Sequence, residues 1–164
     1  MTDRADDVEQ AILTLLDGCG AERMVHAEAR SAPEAAAARG TPLQRGAKSL
    51  FMKLDRMGWA VLALPGDQQL DGGLLRRGLG VARYRLARPD ELEAVIGLPP
   101  GAVPPFGAPI FPCALLVDAT LAAEPWVAFA LARRSCSLRV DTAAWLGRAQ
   151  PSAVLPLGRP ASGG

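Results

Sequence analysis

The sequence predicts an α+β fold built on a mixed sheet, and three observations carry that reading. Two strand-like runs, 48–54 and 58–64, flank a turn made by Asp55, Arg56, Met57 and Gly58, the spacing of a hairpin. Two later runs, 110–117 and 127–132, are apolar on both faces, as in strands covered on each side. Around them lie short stretches with helix start and stop residues, and the adjacent hairpins disfavour uniform βαβ winding.

Taken in order, Val8, Ala11, Ile12 and Leu15 recur at helical spacing over 6–16, acids occupy the first turn, and Gly18 and Gly20 end the helix. A short extended run follows at 24–29. Ser31 is placed as the N-cap of an alanine helix, with Pro33 and Glu34 in its first turn and Gly40 at its end. After the hairpin, Pro65, Gly66 and Asp67 make a turn, and 70–79 forms a short helix carrying Arg76 and Arg77. Residues 82–87 alternate Arg83 and Arg85 against Ala82, Tyr84 and Leu86, a half-exposed strand. Pro89, Asp90 and Glu91 then open a helix to Ile96, which Gly97 closes.

Residues 97–109 hold five prolines and three glycines, which exclude helix and regular strand and leave a series of rigid turns. Strands at 110–117, 127–132 and 135–140 precede a last helix, capped at Asp141 and Thr142 and running through Trp145 and Leu146. The expected organisation is one domain over 1–150, with 151–164 as a flexible tail rich in Pro, Gly, Ser and Ala.

A chain of 164 residues is long enough for one sizeable core, burying roughly 70% of its unfolded surface. Hydrophobic residues make up 49% but aromatics only 5%, so that core is packed from small side chains. Residues 1–40 carry eight acids and four bases, and the remainder nine acids and fourteen bases. A mildly basic body of this kind permits contact with a nucleic-acid backbone without demanding it. Cys19, Cys113 and Cys136 form no C-x-x-C, so neither a disulfide framework nor a zinc site is indicated. No run reaches the roughly 18 apolar residues of a membrane span and the N-terminus is acidic, so the expectation is a cytoplasmic protein.

The chain has sixteen arginines and two lysines, Lys48 and Lys53. Counting by twos from Lys48 reaches Leu50, Met52 and Leu54, which assigns Lys48 to the core-facing side; Ser49, Phe51, Lys53 and Asp55 take the other. An ammonium at the rim of an apolar layer costs desolvation energy unless it meets an anion or carbonyl oxygens, so Lys48 is the leading site candidate. Its stem reaching back to water is the alternative.

Side-chain nucleophile schemes lack a base, because His26 is the only histidine; a metal centre fails on the same ground, and no cofactor is expected. Asp118 and Asp141, at strand ends, suit turn or capping duty. Arg76, Arg77, Arg83, Arg85, Arg133 and Arg134 either line a phosphate-binding face or form a solvated surface. Residues 97–107 match no nucleotide fingerprint but offer backbone N–H groups at fixed angles, suited to holding a carbonyl.

Two stretches together resemble the YbaK/ProX family of aminoacyl-tRNA editing domains. The first runs from Ala32, Pro33 and Glu34 through Arg39, Gly40, Thr41, Pro42 and Leu43 to Gly46, Ala47 and Lys48, matching the family's helix, glycine turn and strand-borne lysine. The second, Gly101, Ala102, Val103, Pro104, Pro105, Phe106 and Gly107, is similar to its G-x-x-x-P loop and following Phe-Gly. Val117, Asp118 and Leu121, then Ser137, Leu138, Arg139 and Val140, fit in order and spacing, so the likeness spans roughly residues 22–147.

The resemblance implies a mixed, partly closed β-barrel flanked by short helices, and hydrolysis of the ester joining a wrong amino acid to the tRNA 3′ adenosine. By that likeness Lys48 anchors the acceptor-end phosphate or the substrate carbonyl, and the loop of Gly101, Ala102, Val103, Pro104 and Pro105, with Phe106 and Gly107 behind it, positions the aminoacyl group. The terminal ribose hydroxyl and a bound water serve in place of a side-chain nucleophile. Partners would be the acceptor end of mischarged tRNA and an aminoacyl-tRNA synthetase. Where relatives read Phe-Asn-Ala-Gly, this chain reads Phe129, Ala130, Leu131, Ala132, a change expected to reshape the pocket at Ala130 and Ala132. The same change motivates a second reading, a non-catalytic module that binds tRNA, a synthetase or a small ligand.

Overall fold

The computed structural model describes residues 3–161. Helix α1 (Arg4–Leu15) is capped by Asp3 and buries Val8 and Ile12, as its spacing predicts. Strand β1 (Glu22–Val25) leads to α2 (Ala32–Arg39), where Ser31 Oγ accepts from the Glu34 N–H and Gly40 closes the helix in the left-handed conformation. A single 3-10 turn (Leu43–Arg45) precedes β2 (Ala47–Leu54), which turns back into β3 (Gly58–Pro65). Next come β4 (Gln68–Leu70), α3 (Gly72–Leu79), β5 (Tyr84–Leu86) and α4 (Pro89–Val95). Beyond the irregular segment lie β6 (Ala114–Asp118), α5 (Ala119–Ala122), β7 (Trp126–Arg133), β8 (Cys136–Asp141) and α6 (Thr142–Ala149). The chain finishes with β9 (Ala153–Leu155) and β10 (Gly158–Pro160).

The strands form three sheets, in the orders β5-β2-β3-β6-β9, β1-β8-β7 and β10-β4. In the largest, β2 is antiparallel to β3 and β5, whereas β6 runs parallel to β3 and β9, so the sheet is mixed as expected. The α+β class stands. The implied barrel reduces to two sheets meeting at one corner: none closes on itself, and among the described residues a single parallel bridge, Gly46 to Ala128, ties the start of β2 to β7. Strand β6 starts at Ala114 and not at Ile110, because 110–113 belong to the preceding turns: Ala108 N–H donates to Cys113 O, and Phe111 N–H to Gly107 O.

The five-stranded sheet is covered on both faces. One face carries Ala47, Phe51, Val61 and Val117 into the larger core with Phe106, Phe129 and Trp145. The other carries Met52, Leu54, Leu62 and Leu116 against Leu75 of α3 and Leu157. Alternation from Lys48 therefore picks out the smaller layer, and Phe51, assigned by the same alternation to the mixed face, belongs to the larger core.

Asp118 ties this sheet to the chain's end. Its carboxylate is 1% exposed. Oδ1 accepts from the N–H groups of Thr120 (2.8 Å) and Leu121 (3.2 Å), capping α5, while Oδ2 accepts from Leu157 (2.9 Å) and Gly158 (3.0 Å). Where composition predicts a tail from Pro151, β9 pairs with β6, β10 pairs with β4, and Leu157 is fully buried. Residues 162–164 of that expected tail lie outside the described residues. Asp141, by contrast, stands at the N-cap of α6 without a side-chain cap bond.

Asp118→Ala leaves four backbone donors without an acceptor, two of them at a helix start. Bonds to a charged group contribute about 1.5–3 kcal/mol each before relaxation and water entry, so urea unfolding should show a loss of about 3 kcal/mol. Amide exchange at Leu157 and Gly158 should rise more than at Leu62; equal exchange at all three would refute this anchoring role.

Candidate active site

The site lies where β2 loses a neighbour. Phe51 O still accepts from Ala87 N–H at 2.9 Å, just past the end of β5. Backbone polar groups of alternate strand residues point to the same edge, so Ser49 turns its N–H and C=O that way too, toward the 97–109 segment and no strand. A cavity of about 120 Å³ opens there. Lys48 and Ser49 of β2, Gly101 and Val103 of the proline-rich loop, Ala130 of β7 and Arg39 of α2 line it.

The loop is held from behind. Trp145 Nε1 donates to Pro105 O at 3.1 Å within the core, Arg134 Nε to Pro100 O at 2.8 Å, and Ala102 N–H to Pro99 O at 3.1 Å. Gly101 adopts φ +85°, a conformation that a Cβ disfavours. Gly107 is required by close approach instead: a Cβ there would lie 2.6 Å from Cys113 O. The N–H groups of Gly101 and Val103 donate to no protein acceptor among the described residues. Two backbone donors on a braced loop thus border the cavity.

Of the residues the sequence nominates, Lys48, Gly101, Val103 and Ala130 converge on this cavity. Ala102, Pro104, Pro105, Phe106 and Gly107 do not line it; they are buried behind it, with Phe106 edge-on to Phe129 at 5.7 Å. Ala132 lies elsewhere, in a bulge of β7, and lines a surface cleft with Arg133 and Arg134. Its φ of +69° is one that glycine tolerates better than alanine.

Burial pushes the Lys48 ammonium below the ordinary lysine range, and the Asp67 carboxylate offsets part of that. Arg39, not foreseen from sequence, lines the same cavity with no carboxylate beside it, and burial lowers its pKa to about 10. Its Nε donates to Ser137 Oγ at 2.8 Å, and that hydroxyl, fully buried, lies 2.7 Å from His26 Nε2. His26 Nδ1 lies 2.8 Å from Ala27 O. Ser137 can accept from Arg39 and donate to Nε2, in the tautomer that carries its proton on Nδ1, toward Ala27 O. His26 therefore braces Arg39 and does not line the cavity.

Other arginines have internal partners. Arg133 pairs with Asp3, Asp6 and Glu9 on α1 and its cap, and Arg134 pairs with Glu28 besides its loop bond. Among the described residues no group of three or more His, Cys, Asp or Glu is disposed to hold a metal ion. No helix among them is long and apolar enough to cross a membrane.

A family model for the aminoacyl-tRNA editing domain matches residues 26–147. A relative from Escherichia coli (strain K12), the multifunctional Ser/Thr-tRNA deacylase ProXp-y, is 38% identical over 152 residues, spanning 88% of this chain and 90% of its own. A solved structure described as a candidate trans-editing enzyme for prolyl tRNA synthetase superposes with a TM-score of 0.81 at 25% identity, covering 97% of this chain and 99% of that one. The crystal structure of a hypothetical protein, APE2540, gives 0.80 at 22% identity over 93% and 99%, a likeness of fold alone.

Ser137→Ala should cost about 1.5–3 kcal/mol in urea unfolding, since it strips a half-buried guanidinium of a neutral acceptor. The imidazole ¹⁵N shifts of the sole histidine should also leave the Nδ1-protonated pattern. Unchanged shifts would show that the hydroxyl does not link His26 to Arg39.

Proposed function

The chain belongs to the YbaK/ProX family of aminoacyl-tRNA editing domains, and from that premise we propose how its cavity removes an amino acid from tRNA. It is an aminoacyl-tRNA deacylase, and the reading of its site rests on one observation: Lys48, Arg39 and the free N–H groups of Gly101 and Val103 border the same small space.

Two cations without a bonded carboxylate in one cavity suit an anion, and the anion nearest an aminoacyl ester is the phosphate of the terminal nucleotide. Lys48 and Arg39 hold it, placing the ester against the loop. Water attacks the ester carbon while its proton passes to the neighbouring ribose hydroxyl. The carbonyl oxygen becomes an oxyanion, which the Gly101 and Val103 N–H groups stabilise; one such donor is worth about 10²–10³ in rate. Collapse breaks the bond to the esterified ribose oxygen, which takes up the proton that the neighbouring hydroxyl passes on, and releases the free amino acid and intact tRNA.

The cavity of about 120 Å³ selects small side chains. Ser49 Oγ, buried and without a partner among the described residues, lines the same space and can bond a β-hydroxyl. Serine and threonine are therefore the proposed cargo, in line with the name of the Escherichia coli relative. The enzyme acts in trans on the acceptor end of mischarged tRNA. A non-catalytic tRNA-binding module is the second reading, favoured by Ala130, which puts a methyl at the cavity where relatives carry an amide.

On a panel of mischarged tRNAs, Lys48→Ala should lower kcat/KM at least 100-fold, about 2.7 kcal/mol, for the seryl or threonyl substrate. Lys48→Met should do the same while leaving stability equal or higher. The lowered pKa sets the sign: burial penalises the folded ammonium at neutral pH, and the penalty lifts as pH rises through the folded pKa toward 10.5, where the unfolded chain holds the extra proton. Binding of tRNA with no turnover in the unmodified protein would favour the second reading.

A further inference from the structure

Ser49, Phe51 and Lys53 share one face of β2, successive members roughly 7 Å apart, and each opens on a different surface. Ser49 lines the catalytic cavity. Ser49 and Phe51 line a second, mostly apolar cavity of about 290 Å³, which shares Gly101 and Val103 with the first and is closed by Leu86, Ala87 and Leu92. Lys53 stands beyond, in an open groove with Arg56, Arg83 and Arg85.

Phe51 and Trp59 stack at 4.9 Å and 17°, and the Lys53 ammonium and Arg85 guanidinium lie 5.4 Å and 5.9 Å from the Trp59 ring. The aromatic pair thus fixes where two cations stand. Arg85 is also held by Glu91 at 2.7 Å and 3.0 Å, and Asp55 is the one acid lining the groove. Lys53, Arg56 and Arg83 are exposed and make no ion pair among the described residues. The other aromatic flanked by cations is charge-balanced: Trp126 lies under Arg45 and Arg139, but Arg45 pairs with Glu124, and Glu22 stands across the strand from Arg139.

We propose that the strip from Ser49 to Lys53 seats the single-stranded 3′ end of tRNA, with the terminal base in the apolar cavity over Phe51 and the phosphates of preceding nucleotides on Lys53, Arg56 and Arg83. The inference rests on the deacylase reading for the identity of the nucleic acid, and on charge and cavity geometry for the surface. A single strand fits because its bases are free to enter an apolar cavity while its backbone tracks cations.

The test is binding of an uncharged acceptor helix with a CCA overhang, alongside the same helix without the overhang. Lys53→Glu with Arg83→Glu should weaken binding of the overhang helix at least tenfold; Lys53→Gln with Arg83→Gln should lower the slope of log affinity against log salt by about two. Unchanged affinity for the overhang helix overturns the proposal, as does an equal loss on the helix lacking it, which would mean that the strip meets duplex or a protein surface. Hydrolysis of a small aminoacyl ester of adenosine 5′-monophosphate, which keeps the phosphate that Lys48 and Arg39 hold, should stay unchanged in both variants. Its absence in the unmodified protein would count against the deacylase reading while leaving the binding result to stand.

Discussion

The bare edge of β2, facing a loop that cannot move, is the constraint on which the rest of the structure turns. A strand edge ordinarily invites another strand, because its N–H and C=O groups are left unpaired. Here β5 pairs as far as Leu86 and then departs, and the space it leaves is bounded by residues 97–109. Five prolines remove donors and fix φ over that segment, so it cannot add itself to the sheet. Trp145 and Arg134 hold it at a distance by its carbonyls, and the Gly101 and Val103 N–H groups donate to no protein acceptor among the described residues. The cavity exists because two backbones that would otherwise pair are kept apart.

That arrangement is costly, and the distribution of charge shows where. Several cations have met an anion: Arg133 is held by three carboxylates, Arg85 by both oxygens of Glu91, Arg45 by Glu124. Lys48 and Arg39 bond to no carboxylate among the described residues, and burial lowers the pKa of both, with Asp67 offsetting part of the shift at Lys48. A protein that leaves these two without a carboxylate in one cavity is less stable for it, as sites preorganised for a ligand commonly are. Bound anion would supply the missing partner. Asp118 is the opposite case, a buried carboxylate saturated by four backbone donors, and its task is to hold the fold's closing strands in place.

How much of this was legible in the sequence depended on distance along the chain. Helix α2 was readable whole, because Ser31, Pro33 and Gly40 act within one turn. The hairpin of β2 and β3 and the irregularity of 97–109 were readable for the same reason, and so was Lys48 beside Leu50. Arg39 was not. Its meaning comes from Ser137, 98 residues away, and from a histidine that composition could describe only as solitary. The closing strands were missed because proline and glycine content describes local stiffness, whereas Asp118 reaches them across about 40 residues. Phe51 was misplaced because alternation separates two faces but does not tell which is buried when both are. Ala132 was grouped with Ala130 by adjacency, yet the bulge turns it away from the cavity.

The cavity's composition also constrains how such an enzyme selects. Its polar side chains are those of Arg30, Ser31, Arg39, Lys48 and Ser49, and Ala130 supplies a methyl where an amide would have offered a donor and an acceptor. Size alone rejects a large amino acid but not a smaller one, since removing a methylene from an apolar pocket changes binding by only about 1–3 kcal/mol. A space that accepts threonine therefore admits alanine and glycine unless something is lost when they enter. On the proposed reading, Ser49 Oγ supplies that loss. The hydroxyl is buried with no protein partner among the described residues, so a substrate that offers it a β-hydroxyl satisfies it, and one that displaces water without replacing the bond leaves it orphaned at a cost of about 1–3 kcal/mol. On the proposed reading, selection against small side chains then falls to one unpaired group on β2, and selection against large ones to the braced loop.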